Sequence, residues 1–95
     1  MTEVLARIET RNANAYIRGL AEAWDHSYPV RVDAMSGEIE LPGAQLIMTA
    51  DPDWLTLRLV GSDAQRVADE QLRVARHLDH LAGADAPQAY EWHAL

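Results

Sequence analysis

The chain has no cysteine, no lysine and no phenylalanine. Without cysteine, disulfides, thiolate zinc sites, iron–sulfur clusters and cysteine nucleophiles are excluded. A secreted domain this small commonly leans on disulfides, so the reducing cytoplasm is the expected compartment. Without lysine there is no Schiff-base chemistry and no P-loop lysine; all eight basic residues are arginine. The start, Met1-Thr2-Glu3-Val4-Leu5-Ala6-Arg7, lacks the basic and long apolar regions of a signal peptide. No run approaches the roughly 18 unbroken apolar residues of a membrane span. The five glycines stand singly, so no glycine-rich phosphate loop is present.

Positive charge is also short. The net charge is −7, which repels phosphate backbones, so a nucleic-acid partner would need a local basic stripe. Arg7, Arg11, Arg18, Arg31, Arg58, Arg66, Arg73 and Arg76 are instead scattered among acids. The same charge argues against anionic membrane surfaces. The expectation is therefore no nucleic-acid partner and no membrane partner.

What is present is an ordinary globular composition, 48% hydrophobic and 24% charged over 95 residues. That length makes one domain, residues 1–95, with one modest core. The apolar residues fall in periodic blocks. Val4, Ala6 and Ile8 alternate with Leu5, Arg7 and Glu9, the period of a strand. Thr10 or Asn12 can cap a following helix, with Tyr16, Leu20, Ala23 and Trp24 as its apolar stripe, reaching about His26 before Tyr28-Pro29 stops it. Residues 30–34 and 38–41 read as a hairpin around Met35-Ser36-Gly37, with Glu38 and Glu40 facing outward. Pro42-Gly43 turns into two more strands, 45–50 and 54–60, joined across Asp51-Pro52-Asp53. Ser62 with Gln65 fits a capping box. The helix it opens would carry Val67, Ala68, Leu72, Val74, Ala75, Leu78, Leu81 and Ala82, with Gly83 as its stop. Residues 88–93 read as a last strand with Tyr90 and Trp92 on one face. The expected fold is α+β, in the order β-α-β-β-β-β-α-β, an antiparallel sheet with both helices packed on one face.

Several strings, in this order and spacing, resemble a bacterial family catalogued as domain of unknown function 2218 (DUF2218). They are Ala13-Asn14-Ala15-Tyr16 with Leu20 and Trp24-Asp25-His26, then Gly37-Glu38-Ile39-Glu40-Leu41-Pro42, Leu55-Thr56-Leu57-Arg58-Leu59, and Arg76-His77-Leu78-Asp79. The resemblance covers nearly the whole chain. It implies a small stand-alone α+β protein with no established activity. It also implies a link to iron handling, because some members are encoded near siderophore-interacting reductases. The chain departs from the family pattern at Ala23, where members often carry a second histidine, and after the second helix, where Leu81-Ala82-Gly83-Ala84-Asp85 is poor in aromatic and charged residues.

Few constellations carry chemistry. His77 and His80 stand three apart on the second helix and share a face. With His26 as a third ligand they could hold a divalent metal; the plainer reading is solvated histidines near helix C-termini. Asp25-His26-Ser27 has triad residue types, but neighbours on a helix do not face each other. Glu38 and Glu40 could form a carboxylate pair about 7 Å apart, yet nothing implies the neutral, buried setting such chemistry needs, and they read more simply as an acidic strand that discourages edge pairing. Asp51-Pro52-Asp53 lacks the further oxygens of a calcium loop. Gly19 costs its helix about 1 kcal/mol against Ala, which close approach of a strand or partner would explain. Trp54 is out of phase with Leu55 and Leu57, which places it on the uncovered sheet face; beside Ile47 and Val60 it would suggest a partner surface, the plainer reading being a single surface aromatic. The expected function is a non-enzymatic binding or accessory protein with no assigned cofactor, a homodimer or partner of an iron-uptake protein. The alternative is histidine-dependent binding of metal or haem.

Overall fold

A computed structural model of the chain describes residues 1–82 and 92–94. The elements are β1 (Thr2–Glu9), α1 (Ala13–Trp24), β2 (Val30–Val32), β3 (Ser36–Glu40), β4 (Gln45–Ala50), β5 (Trp54–Gly61), α2 (Ala64–Ala82) and β6 (Trp92–Ala94). This is the α+β order read from the sequence. The residues 83–91, with the expected helix stop at Gly83 and Tyr90 of the last strand, lie outside the described residues.

The six strands form one sheet in the order β2-β3-β4-β5-β1-β6, antiparallel at every pairing. β2 to β5 make a meander through short turns. β1 then inserts beside β5, from Thr2 opposite Gly61 to Glu9 opposite Trp54. The alternation along each strand sets two faces. Val4, Ala6 and Ile8, Ile39, Leu46, Met48 and Ala50, and Leu55, Leu57 and Leu59 all point to the helices and are buried. These side chains and the inner stripes of α1 and α2 make one continuous core.

Both helices are rotated from the stripe expected of them. α1 buries Ala13, Ile17, Leu20, Ala21 and Trp24, while Ala23 is exposed and Tyr16 half-buried. Helix α1 ends at Trp24, two residues early, where the Trp24 carbonyl accepts from the Ser27 and Tyr28 amides. α2 begins one residue later than the capping box implied. The cap is Asp63, not Ser62: its Oδ1 accepts from the Gln65 amide at 2.8 Å and the Arg66 amide at 3.4 Å, as an N-cap carboxylate does. α2 buries Val67, Glu70, Val74 and Leu78, whereas Ala68 and Leu72 are exposed. Apolar composition placed Leu72 inside; the register set by Val67, Val74 and Leu78 places Glu70 there instead.

Gly19 is explained by close approach, from the second helix. A Cβ there would lie 2.8 Å from Leu81 Cδ1. Glu38 and Glu40 face away from the helices as expected, but β3 is an inner strand covered by β2, so they do not guard an edge.

Candidate functional site

Among the described residues, no element covers the face of the sheet away from the helices. Across it run rows of directly opposed residues: Glu3, Val60, Gln45 and Glu40; His93, Leu5, Arg58, Ile47, Glu38 and Arg31; Arg7, Thr56, Thr49 and Ser36; and Glu9 with Trp54. Leu5, Ile47, Val60 and Trp54 are half-buried by their neighbours. The two expected partner-surface residues, Ile47 and Trp54, are both here but in separate rows. Trp54 lies under the Arg7 guanidinium, 4.7 Å from the ring centre, a cation–π contact at the face's end. Arg58 pairs with Glu3. Four glutamates and three arginines decorate this face, so it is close to neutral on a chain of net charge −7. The helices are balanced as well, Arg18 against Glu22 on α1 and three arginines against Asp69, Glu70 and Asp79 on α2, so among the described residues the surplus lies in the turns, at Asp25, Asp33, Asp51, Asp53 and Asp63.

The helix side of the molecule carries His77 and His80. The His77 and His80 rings lie 6.1 Å apart, and the Trp24 ring is 5.3 Å from His77. Burial pushes the His77 imidazole below its usual pKa, and neighbouring His80 pushes it the same way. Both effects favour the neutral imidazole, the form that ligates metals. His26 does not complete the set: among the described residues no three histidine, aspartate or glutamate side chains are placed to hold a metal ion. His26 sits exposed beyond the end of α1.

Beside His77 a second cluster escaped the sequence reading. Glu70 is only 4% exposed, and its Oε2 is buried with no hydrogen-bond partner among the described residues. Arg73 Nη2 lies 3.7 Å from Glu70 Oε1, while Arg73 Nη1 donates to the Tyr28 hydroxyl at 2.7 Å. Burial raises the Glu70 carboxyl pKa; Arg73 lowers it by less, and Asp69 raises it further. The signal was in the spacing. Glu70 is three residues after Val67 and four before Val74, on the buried stripe of an amphipathic helix.

Trp24, Asp69, Leu72, Arg73, Arg76 and His77 line a surface groove of about 460 Å³ along α2. No helix among the described residues is long and apolar enough to cross a membrane.

The fold and these surfaces define a class: a two-layer α+β domain, with both helices packed on one face of an antiparallel sheet. The model of a family described as an uncharacterized protein conserved in bacteria, DUF2218, matches residues 5–93, and the chain belongs to that family. It is also similar to the NMR structure of PA4090 from Pseudomonas aeruginosa. The two are 25% identical and align with a TM-score of 0.82 over 98% of this chain and 96% of that one. No curated protein matches the chain.

Proposed function

We propose that the protein is a non-catalytic binding module that pairs with a second copy of itself through the bare sheet face and serves an accessory role in bacterial iron or siderophore handling. One observation carries the pairing: this face presents half-buried Leu5, Ile47, Val60 and Trp54 within a nearly neutral field, on a chain of net charge −7. Two copies of an acidic chain repel least where each is locally neutral. Interfaces that form reversibly combine apolar and aromatic anchors with interspersed charges. An isologous contact also lets each copy offer glutamates to its partner's arginines. Six strands at about 4.8 Å spacing and some 20 Å of strand length span roughly 600 Å² in plan. That is somewhat below the ~800 Å² each partner gives to a standard interface, so a reversible dimer is expected. The iron connection rests on the family resemblance.

Sedimentation velocity over a rising concentration series tests the pairing. The expected result is a monomer–dimer equilibrium that Ile47→Asp shifts to monomer while the far-UV circular dichroism is retained. A wild-type chain that stays monomeric at millimolar concentration refutes it.

A second reading is metal or haem binding, favoured by the neighbouring His77 and His80 rings, 6.1 Å apart, and by the lowered His77 pKa. Two imidazoles leave the remaining coordination positions to water, a further ligand or another molecule. Calorimetric titration of metal-stripped protein with Fe(II), Zn(II), Ni(II) and haem tests it. Stoichiometric binding that the His77→Ala/His80→Ala variant loses supports it; equal uptake by the variant disposes of it.

A further inference from the structure

The groove along α2 has a chemistry that neither the sheet face nor the histidine pair requires. It lies on the helix side of the molecule. Arg73 and Arg76 are three residues apart, so both guanidiniums emerge toward one stretch of the helix surface. Arg73 is held in place: the Tyr28 hydroxyl takes one N–H at 2.7 Å, the Tyr28 ring lies 5.9 Å away, and the Glu70 carboxylate sits behind. A guanidinium has five N–H donors, so those on the outer edge of Arg73 stay available for a carboxylate. A donor fixed before binding loses little freedom when the ligand arrives. Leu72, 59% exposed, adds an apolar wall, and the Trp24 edge adds an aromatic one. The acid that shares the groove, Asp69, accepts from the Gln65 amide group at 3.4 Å. The volume, about 460 Å³, is in the range of small-molecule sites.

We propose that this groove binds a small organic anion with a planar aromatic body, of the aryl carboxylate class, with Arg73 and Arg76 on the carboxylate and Leu72 and Trp24 against the ring. Tyr28 is a positioning residue that holds Arg73.

The test is a titration of the full chain with 2-naphthoate, followed by amide and indole nuclear magnetic resonance. Two matched probes accompany it: 2-naphthamide, which keeps the ring without the charge, and inorganic phosphate, which keeps charge without the ring. The proposal predicts naphthoate-dependent shifts at the Trp24 indole, Leu72 and His77. Naphthamide, phosphate and naphthoate on the Arg76→Gln variant should each bind about tenfold more weakly, the equivalent of one charge-assisted hydrogen bond or one apolar wall. Arg76 is exposed, so its replacement should leave the rest of the spectrum unchanged. Naphthamide binding as tightly as naphthoate would reduce the site to an apolar patch, and phosphate binding as tightly would reduce it to a simple anion site; either overturns the proposal. So would undiminished naphthoate binding by Arg76→Gln, shifts confined to the sheet face, or no shifts at millimolar naphthoate.

Discussion

Replacing Glu70 by leucine should make the protein more stable. Glu70 stands among Val67, Val74 and Leu78 on the inner stripe of α2 and is 4% exposed. Its Oε2 is buried without a partner among the described residues. The nearby cation, Arg73, stops 3.7 Å short of Oε1, beyond hydrogen-bond length, and spends a donor on Tyr28 instead. The raised carboxyl pKa says that desolvation outweighs Arg73's attraction. A buried acceptor left without a donor costs about 1–3 kcal/mol. Glu70→Leu removes that cost and adds apolar burial. It does not strand a buried cation, because the Arg73 side chain is 42% exposed and keeps the Tyr28 contact. The expected gain is about 1–3 kcal/mol at pH 8, with Tm rising by ~4–8 °C per kcal/mol in a domain of this size. Urea denaturation followed by circular dichroism measures it. At pH 4 the gain should shrink, since a neutral carboxyl is cheaper to bury. A loss of 1 kcal/mol or more at pH 8 (roughly the net worth of one hydrogen bond) would refute the reasoning and mean that the carboxylate is well partnered.

Two titrations should tilt stability in opposite directions. The raised Glu70 pKa means the folded state holds this proton more tightly than the unfolded chain does, so its contribution falls as pH rises above the ordinary 4.5. The lowered His77 pKa does the reverse, and stability is lost as pH falls below the ordinary 6.5. Denaturation between pH 4 and 8 should therefore show the acid-side loss relieved in His77→Gln and the alkaline-side loss relieved in Glu70→Gln; unchanged slopes in both would contradict the assignments. Gly61→Ala should cost about 1–3 kcal/mol, because its Cβ would stand 2.6 Å from the Gly43 carbonyl oxygen and 2.7 Å from Val67 Cγ2; equal midpoints in urea would refute the packing. Gly19→Ala meets only the flexible tip of Leu81, so the ~1 kcal/mol gain in helix propensity should leave it within about 1 kcal/mol of wild type by the same assay. Arg7→Ala should change Trp54 fluorescence by removing the guanidinium over the ring, and an unaltered emission spectrum would deny that contact.

The strands were legible because their period is local. Leu55, Leu57 and Leu59 against Thr56 and Arg58 state which side is buried whatever the strand's neighbours are. The pairing of β1 with β5 was not legible, since Val4 opposite Leu59 joins residues far apart in sequence and no local pattern encodes that. Helix existence was readable and helix phase was not. Counting apolar residues put Ala23 and Leu72 inside, whereas Ile17 and Glu70 are the ones buried. Ile17 faces Gly37 on β3, where an added Cβ would lie 2.8 Å from its Cγ2, so the sheet beneath selects the face. Of the site, Trp54 and Ile47 were found by their strand phase, and His77 and His80 by their spacing. Arg73 and Tyr28 were missed because their contact spans 45 residues.

The pairing through the bare sheet face is tested most directly by diluting isotope-labelled protein and following every amide by nuclear magnetic resonance. Concentration-dependent shifts should cluster on Leu5, Ile47, Arg58 and Val60, with Ala68 and Leu72 on the helix side unmoved. Shifts centred on α2 instead, or a spectrum that does not change across the series, would contradict the account.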